Sequence, residues 1–376
     1  MRAEPGHRRA LRDWLACAAG GRTEPAARAA RGAGMGQLER VAAVGTAGHV
    51  LDFDDTYEPG LAHLSAPVAP AALVVAAARR ATAGVALDAF AAGFEAMAAV
   101  ARASHPALYE RGLHPTAVCG TVGAAVAAAR VLGLPAAAER SAIALALLRG
   151  AGLQAAFGSD GKALQVGLAA AAGVASANLA ARGASVPLER VAAGFERALG
   201  GSFADPDGEP AVRQNWIKAY PCCLQTHSAI EAAAAAPSAE RLTIAVHPVS
   251  RRAASYDVPA DSLQAKFSLP YVVAFTRLHG PPGVESFRSV DPAAAELAAR
   301  IATRADERLG QSEAVLYDSD EEVARVEVAL GSPARPMSEE QLAAKVRALA
   351  GDRLDGALEV RARPAYDLLA AAGLAS

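Results

Sequence analysis

The sequence predicts a mainly α-helical protein with a large all-helical domain and a smaller α+β domain. The 376 residues are 52% hydrophobic and only 5% aromatic, and alanine dominates the hydrophobic share. Alanine is the best helix former and a poor strand former. The length corresponds to two or three domains of about 100–200 residues each. Segments rich in β-branched residues begin only near residue 237, which places the mixed domain late in the chain.

Charge and composition exclude several classes of protein. The 37 Lys and Arg residues nearly balance the 39 Asp and Glu residues, so there is no basic excess of the kind that binds a nucleic-acid backbone. A long uncharged stretch, Ala163–Ala181, is close to the roughly 20 residues of a membrane span. Its Ala and Gly content predicts a buried core helix instead, and we expect neither a nucleic-acid nor a membrane partner.

The helical domain is predicted over residues 1–236. Successive Ala-rich segments predict helices over Ala69–Ala83, Leu87–Ala103, Thr121–Leu132, Ala137–Leu148 and Leu164–Arg182. Glycine and proline separate these segments. Glycines also lie inside them, at Gly120, Gly123, Gly167 and Gly173. An interior glycine costs about 1 kcal/mol against alanine, so these positions predict close approaches between helices.

The α+β domain is predicted over residues 237–335, and C-terminal helices that return to the helical domain over residues 336–376. Strands are predicted at Arg241–His247, Glu313–Tyr317 and Glu322–Leu330, from their alternating and β-branched residues. Helices are predicted at Leu263–Leu278, Pro292–Thr303 and Ser338–Ala350. The last begins with a capping box formed by Ser338 and Gln341.

The cysteines and the N-terminal segment predict a cytoplasmic protein. Four cysteines in this length make no disulfide framework, and the adjacent pair Cys222 and Cys223 is poorly spaced for a tetrahedral zinc site. Arg8, Arg9 and Asp13 interrupt any apolar run that would serve as a signal peptide.

An acidic cluster stands out against the alanine background. Asp52, Asp54 and Asp55 are three carboxylates within four residues, and such crowding requires a cation, hydrogen bonds or a helix N-terminus. One interpretation is a solvated turn with capping aspartates. Another is the D-x-D-D acid motif of class II terpene cyclases, although these stabilise carbocations with aromatic faces and this chain has few aromatic residues.

Further polar clusters occur at predicted helix starts. His114 precedes Pro115 at the start of a helix, where the helix dipole favours anions and lowers the pKa of an imidazole. Lys162 opens another small-residue helix. Lys218 is surrounded in sequence by apolar and aromatic residues, and Tyr271 follows a proline near a helix start in the α+β domain. Each has a structural interpretation as well as a functional one.

These segments together resemble the MmgE/PrpD family, which contains 2-methylcitrate dehydratases, cis-aconitate decarboxylases and iminodisuccinate epimerases. The resemblance rests on HVLDFDDT, HLSAPVAPAAL, GLHPTAVCGTVGAAVAAARVLGL, GK-x-L-Q-V-G, KAYPCCLQTHSAIEAA and AKFSLPYVVA, which occur in the family's order. It implies an MmgE/PrpD-like fold, in which a helical domain and an α+β lid enclose the site. It also implies a homodimer without metal or organic cofactor.

The resemblance assigns the site residue by residue. It implies catalytic roles for Asp52, His63, His114, Lys162, Lys218 and Tyr271. It implies substrate binding by Thr56, Asp55 and Gln165, the last standing where many members have histidine.

The implied chemistry is proton abstraction next to a carboxylate of a small di- or tricarboxylate. His63 and His114 supply imidazoles that titrate near neutrality, and Lys162 and Lys218 supply cations for the developing charge. Asp52 is expected to orient a histidine, and Tyr271 to donate a proton from the lid. We expect dehydration of the 2-methylcitrate dehydratase type first. Decarboxylation, epimerisation, isomerisation and a biosynthetic tailoring version of these reactions are the alternatives. The remaining alternative is a non-catalytic or repurposed dimeric scaffold.

Overall fold

The structure, a computed structural model, describes residues 1–32, 35–236 and 241–375. The predicted domain start at residue 237 and the chain end at residue 376 lie outside the described residues. Seventeen α-helices occur in the described part: α1 (Pro5–Gly21), α2 (Pro25–Ala29), α3 (Gln37–His49), α4 (Ser65–Ala78), α5 (Ala83–Ser104), α6 (Ala107–Glu110), α7 (Pro115–Leu132), α8 (Ala136–Leu147), α9 (Gly161–Ala181), α10 (Leu188–Leu199), α11 (His227–Ala235), α12 (Pro248–Ala253), α13 (Ser262–Ala265), α14 (Leu269–His279), α15 (Pro292–Ala298), α16 (Glu339–Ala350) and α17 (Ala365–Ala371). The mainly α-helical class is confirmed.

Glycines bring the central helices α5, α7 and α9 close together. A Cβ added to Gly93 of α5 would lie 2.4 Å from the carbonyl oxygen of Gly123 in α7. A Cβ added to Gly173 of α9 would lie 2.5 Å from the carbonyl oxygen of Thr121. Real Cβ atoms do not approach so closely, so only glycine permits this spacing. The close helix approaches predicted from the interior glycines are therefore confirmed.

A four-stranded sheet forms the β part of the fold. Its strands, with a separate two-stranded pair, are β1 (Thr56–Tyr57), β2 (Asn215–Trp216), β3 (Leu242–Val246), β4 (Ala302–Ala305), β5 (Ala314–Asp318) and β6 (Glu321–Val326). The sheet order is β4-β3-β5-β6, with β3 parallel to β4 and antiparallel to β5. Helices α11 and α14 pack on it, and α15 packs against α14. The buried residues of this part form a hydrophobic cluster separate from that of the long helices.

The chain ends return to the helical core. Helix α1 packs against α3 and α16, and α17 packs against α4 and α5. Buried leucines of the C-terminal helices, such as Leu342 and Leu368, belong to the same cluster as Trp14 and Phe90. The C-terminal segment is thus built into the core of the long helices.

Several predicted elements differ from the structure. The strand predicted over Glu322–Leu330 ends at Val326, and the helix predicted over Ala69–Ala83 ends at Ala78. The helix predicted over Leu263–Leu278 is broken into α13 and α14, because the Ser268 side chain accepts a hydrogen bond from the amide of Tyr271 and starts a new helix. The helix predicted over Pro292–Thr303 ends at Ala298, and β4 begins at Ala302. Pairing with β3 outweighs the low strand propensity of this alanine-containing segment.

Three helices of the described chain are long and apolar enough to cross a membrane, namely α5, α7 and α9. Within the fold, 89% of the apolar window of α5 and 83% of that of α7 are buried, against 56% for α9. The first two serve as core helices, whereas α9 keeps an apolar stripe at the surface.

Candidate active site

Most of the polar residues singled out from the sequence line one cavity. The cavity encloses about 470 Å³ of empty space, including its mouth. It lies between the ends of the long helices and residues such as Ala253 and Phe267, which follow β3. Six predicted site residues are among its lining: Asp52, Thr56, His63, His114, Lys162 and Lys218.

The segment between α3 and β1 delivers the acidic cluster to this cavity. It turns at Asp52, whose φ of 53° is in the left-handed region. Aspartate tolerates this conformation better than most residues. The turn sends the Asp52 side chain towards the cavity and buries all three carboxylates of the cluster. The interpretation of this cluster as a solvated turn is therefore wrong.

Asp52 joins the two lysines of the cavity. Its Oδ1 accepts hydrogen bonds from Nζ of Lys218 at 2.7 Å and of Lys162 at 2.9 Å. Burial alone raises the pKa of Asp52, but the two ammonium groups hold it well below its usual value. Burial lowers the pKa of Lys218, but the carboxylates of Asp52 and Asp54 more than offset this, so the net shift is upward. One carboxylate thus serves as the ion-pair partner of two ammonium groups.

Three buried lysines also hold the backbone around Asp52. Lys266 Nζ donates to the carbonyl oxygen of Leu51 at 2.8 Å, and Lys218 to that of Asp52 at 3.0 Å. Lys345 Nζ donates to the carbonyl oxygen of Phe53 at 2.7 Å. Three consecutive carbonyl groups are thus fixed by ammonium groups from distant parts of the chain, and they stabilise the left-handed turn.

Asp54 holds two histidines. Its carboxylate lies 2.9 Å from Nδ1 of His49 and 3.4 Å from Nδ1 of His63. Burial raises the pKa of Asp54, but the two imidazoles hold it far below its usual value. Burial lowers the pKa of His63 to about 3, against the opposing effect of Asp54. The ionised Asp54 favours the proton of neutral His63 on Nδ1, and the lone pair is then on Nε2.

His114 lies at the start of α7 and lines the same cavity. It is the residue before the first-turn Pro115, as predicted, and its ring stacks on that of His49 with centroids 6.2 Å apart. Burial and the positive charge of Lys162 lower its pKa well below the usual value. Its Nδ1 lies 2.8 Å from the side-chain nitrogen of Gln165, which sits in the second turn of α9 behind the cavity wall.

Three predicted site residues do not line the cavity, namely Tyr271, Asp55 and Gln165, whose side chain contacts Leu153 and His114 instead. Tyr271 is fully buried in the cluster beneath the sheet, and its hydroxyl accepts a hydrogen bond from the amide of Asp291 at 2.9 Å. Asp55 accepts hydrogen bonds from the amide and hydroxyl of Ser65 and from the Asn215 side chain. Through these hydrogen bonds, Asp55 connects the start of α4 to β2.

Sequence reasoning missed several residues of the site. Asp54 enters the prediction only as part of the acidic cluster, and His49 only as the first residue of the HVLDFDDT motif. The aromatic rings of Tyr109, Phe157 and Phe267 also line the cavity. Nζ of Lys162 lies 5.4 Å from the centroid of the Phe267 ring, a favourable cation–π distance. The contact between Lys162 and Phe267 joins segments far apart in the chain, so nothing in the local sequence signals it.

One group of side chains in the described residues has donor atoms close enough to hold a metal ion. The donor atoms of His49, Asp54 and His63 all lie within 4.8 Å of one another. Their 2.9 Å contact is a hydrogen-bond length, and the ammonium groups of Lys162 and Lys218 close by disfavour another cation. Hydrogen bonding accounts for the cluster, and independence from metals stays a prediction.

Two family models match the chain over this architecture. The MmgE/PrpD N-terminal domain matches residues 6–204, and the MmgE/PrpD C-terminal domain matches residues 220–365. Fold and site together define a mainly α-helical protein with a buried cavity of paired lysines and histidines. The chain belongs to the MmgE/PrpD family, as the sequence motifs predicted.

Named relatives of the chain are decarboxylases. The cis-aconitate decarboxylase of Homo sapiens is 28% identical over 348 residues, covering 82% of this chain and 72% of the human protein. The cis-aconitate decarboxylase of Mus musculus is 29% identical over 280 residues, covering 65% of this chain and 55% of the mouse protein. The chain therefore aligns with little more than half of the length of the mouse relative.

Proposed function

We propose that this protein is a cofactor-independent lyase that acts on a small di- or tricarboxylate. The observation that carries the proposal is the convergence of two lysines and two neutral histidines on one cavity. The lysines recognise carboxylate groups, and the histidines move protons at carbon. A cavity of this kind favours the carboxylate lyase over the class II terpene cyclase, although three aromatic rings also line it.

Lys162 and Lys218 bind a carboxylate group of the substrate. Both ammonium groups share the single carboxylate of Asp52 as their ion-pair partner, so each can also pair with a carboxylate of the substrate. Helices α7 and α9 both begin at the cavity, and their positive ends favour the same anion. The Thr56 hydroxyl, 3.5 Å from Nδ1 of His63, supplies a further hydrogen-bonding group at the cavity wall.

The two histidines take different roles. His63 has a free lone pair on Nε2 and removes the proton from the carbon next to a substrate carboxylate. The electron pair stays on that carbon and spreads into the carboxylate as an enediolate, which the lysines stabilise. His114 hydrogen-bonds the oxygen on which charge accumulates. In dehydration the electron pair then expels the neighbouring hydroxyl, which leaves as water with a proton from the enzyme.

Decarboxylation uses the same groups in another order. Carbon dioxide leaves with rupture of a carbon–carbon bond, and the electron pair from that bond ends on a carbon that takes up a proton. Both named relatives are cis-aconitate decarboxylases, which supports this candidate beside dehydration. Tyr271, which was expected to protonate the leaving hydroxyl in dehydration, lies outside the cavity. The sequence-based argument for dehydration is therefore weaker.

Proton NMR in D₂O tests the proposal. Purified protein, treated with a chelator and then assayed with and without added divalent metal, is incubated with 2-methylcitrate, citrate, cis-aconitate and an aspartate-derived dicarboxylate. We expect turnover or deuterium incorporation with at least one of them, independent of metal. His63→Gln should abolish it. A folded wild-type protein that leaves every member of the panel unchanged would favour the repurposed scaffold, and activity only with added metal would contradict cofactor independence.

We also propose that the protein is a homodimer joined along α9. The partly exposed side of α9 carries Leu164, Leu168, Ala175 and Leu179 at helical spacing, and Leu168 is 63% exposed. Such an apolar stripe suits a second copy of the same helix. Sedimentation of Leu168→Glu should show a monomer, whereas Val258→Glu, at a position 71% exposed outside α9, should stay dimeric. A dimeric Leu168→Glu protein would place the interface elsewhere.

A further inference from the structure

The side-chain amide of Gln165 makes three hydrogen bonds with two partners. Its Oε1 accepts from the amide N–H of Leu153 at 2.9 Å. Its Nε2 lies 3.2 Å from the carbonyl oxygen of Leu153 and 2.8 Å from Nδ1 of His114. Every hydrogen-bonding group of this amide except one lone pair is therefore used.

The contacts with Leu153 fix which end of the amide faces His114. A backbone N–H can only donate and a backbone carbonyl can only accept. The side-chain oxygen must therefore face the N–H of Leu153, and the nitrogen must face both the carbonyl and the imidazole. The Leu153 segment is itself held against His114, whose own amide donates to the carbonyl oxygen of Gly152 at 3.0 Å.

We propose that Gln165 is a positioning residue that holds neutral His114 as the Nε2–H tautomer. Because Gln165 donates to Nδ1, that nitrogen carries the lone pair, and the ring proton must reside on Nε2. His114 then presents a hydrogen-bond donor to the cavity and cannot act as a base there. The consequence for catalysis rests on the proposed function, whereas the tautomer is a property of the resting protein.

The surroundings of His114 keep the ring neutral. The titratable groups that face it are Lys162, His49, His63 and Asp52. Burial and the charge of Lys162 oppose protonation more than Asp52 favours it. A neutral ring has one proton, so the hydrogen bond at Nδ1 decides where that proton lies.

Gln165 and Asp54 thus give the two cavity histidines opposite tautomers. The Asp54 carboxylate lies 3.4 Å from Nδ1 of His63 and favours the ring proton on that nitrogen, whereas the Gln165 amide donates a hydrogen bond to the lone pair on Nδ1 of His114. His63 can therefore act as a base at Nε2, whereas His114 can act as a hydrogen-bond donor there. The difference comes from Asp54 and Gln165, which contact Nδ1 of the two rings. The same logic distinguishes acid and base among paired carboxylates.

Nitrogen-15 NMR of the resting wild-type protein tests the tautomer directly. The chain has eight histidines, and the signals of His114 are those missing in His114→Gln. We expect a lone-pair-type shift for Nδ1 and a protonated-type shift for Nε2, without change from about pH 6 to 8. A protonated Nδ1 in the wild-type protein would overturn the proposal, whatever its activity.

A matched pair of variants tests the part played by the amide. Gln165→Met removes the donor, so we expect the Nδ1 shift to move towards a tautomer average and kcat to fall at least about 10-fold, with KM within about 2-fold. Gln154→Met removes a nearby glutamine that donates only to the carbonyl groups of Tyr109 and Leu113, and it should leave the His114 shifts unchanged. An unchanged tautomer in Gln165→Met would refute the positioning role. A shifted tautomer in a protein inactive on every substrate would retain it and reject the proposed function.

Discussion

The Asp54 carboxylate lies 3.4 Å from Nδ1 of His63, and Asp52 is 3.8 Å from the other ring nitrogen. Asp54 is therefore the residue placed to orient the histidine. The expectation that Asp52 does so is a natural one from the sequence, since both carboxylates belong to the same short cluster. In the structure, Asp52 forms ion pairs with Lys162 and Lys218. Asp54 contacts the imidazoles of His49 and His63.

Replacing Asp54 by asparagine should lower kcat strongly. An amide in its place can donate to Nδ1 of His63, which favours the wrong tautomer for a base at Nε2. A comparable change in a catalytic triad costs about 10⁴ in kcat, and we expect a loss of at least about 10². Steady-state kinetics on the substrate found by NMR would measure it. An unchanged kcat would show that His63 needs no carboxylate behind it.

The neighbouring Asp55 provides the control for that experiment. Asp55→Asn should lower the free energy of unfolding by about 1–3 kcal/mol, because buried donors of Ser65 and Asn215 lose a good partner. The folded variant should keep KM within a few-fold, since Asp55 does not line the cavity. A large rise in KM would restore the substrate-binding role expected from the sequence.

Tyr271→Phe should leave kcat nearly unchanged. The hydroxyl that it removes hydrogen-bonds the amide of Asp291, so we expect a loss of only about 1 kcal/mol in stability. Tyr109→Phe removes a hydroxyl from a residue that does line the cavity, and it should affect kcat or KM more. If Tyr271→Phe instead lost activity by about 10² or more, the tyrosine would have to reach the substrate in another state of the protein.

Much of this architecture follows from local sequence. Helix ends and interior glycines are local features, so the long helices and their close approaches are predictable. His114 is predictable for the same reason, because Pro115 fixes the helix start beside it. Strand β4 is not predictable, since only its pairing with β3 separates it from a helix end.

The contacts behind the site depend on pairs far apart in the chain. Lys345 reaches the carbonyl of Phe53 across 292 residues, and no local pattern records this. The different contacts of Asp52 and Asp54 depend on the positive φ of Asp52, because this φ sets the direction of the Asp52 side chain. Tyr271 has the expected place at a helix start, but the new helix begun at Ser268 turns it into the core.

Lys345→Met should destabilise the protein and disturb the turn at Asp52. Lys345 forms a buried ion pair with Asp13 at 2.7 Å and donates to the carbonyl oxygens of Phe53 and Lys218. Removing one partner of a buried pair costs about 3–5 kcal/mol, measurable by urea unfolding. The double variant Asp13→Leu with Lys345→Met should recover part of the stability but keep a lowered kcat. Full recovery of kcat would mean that the lysine serves only to neutralise Asp13.

Acid should destabilise the fold through its buried histidines, and His227 offers a test outside the cavity. Burial and the charge of Lys218 lower the pKa of His227 to about 3, whereas an unfolded histidine has a pKa of about 6.5. Between these values the unfolded chain binds more protons than the folded one, so stability rises with pH and is lost as pH falls. His227→Gln should reduce the slope of unfolding free energy against pH by up to about 1.4 kcal/mol per pH unit in this window. Above about pH 7.5 the slopes of variant and wild type should coincide, and unequal slopes there, or equal slopes near pH 5, would contradict the assignment.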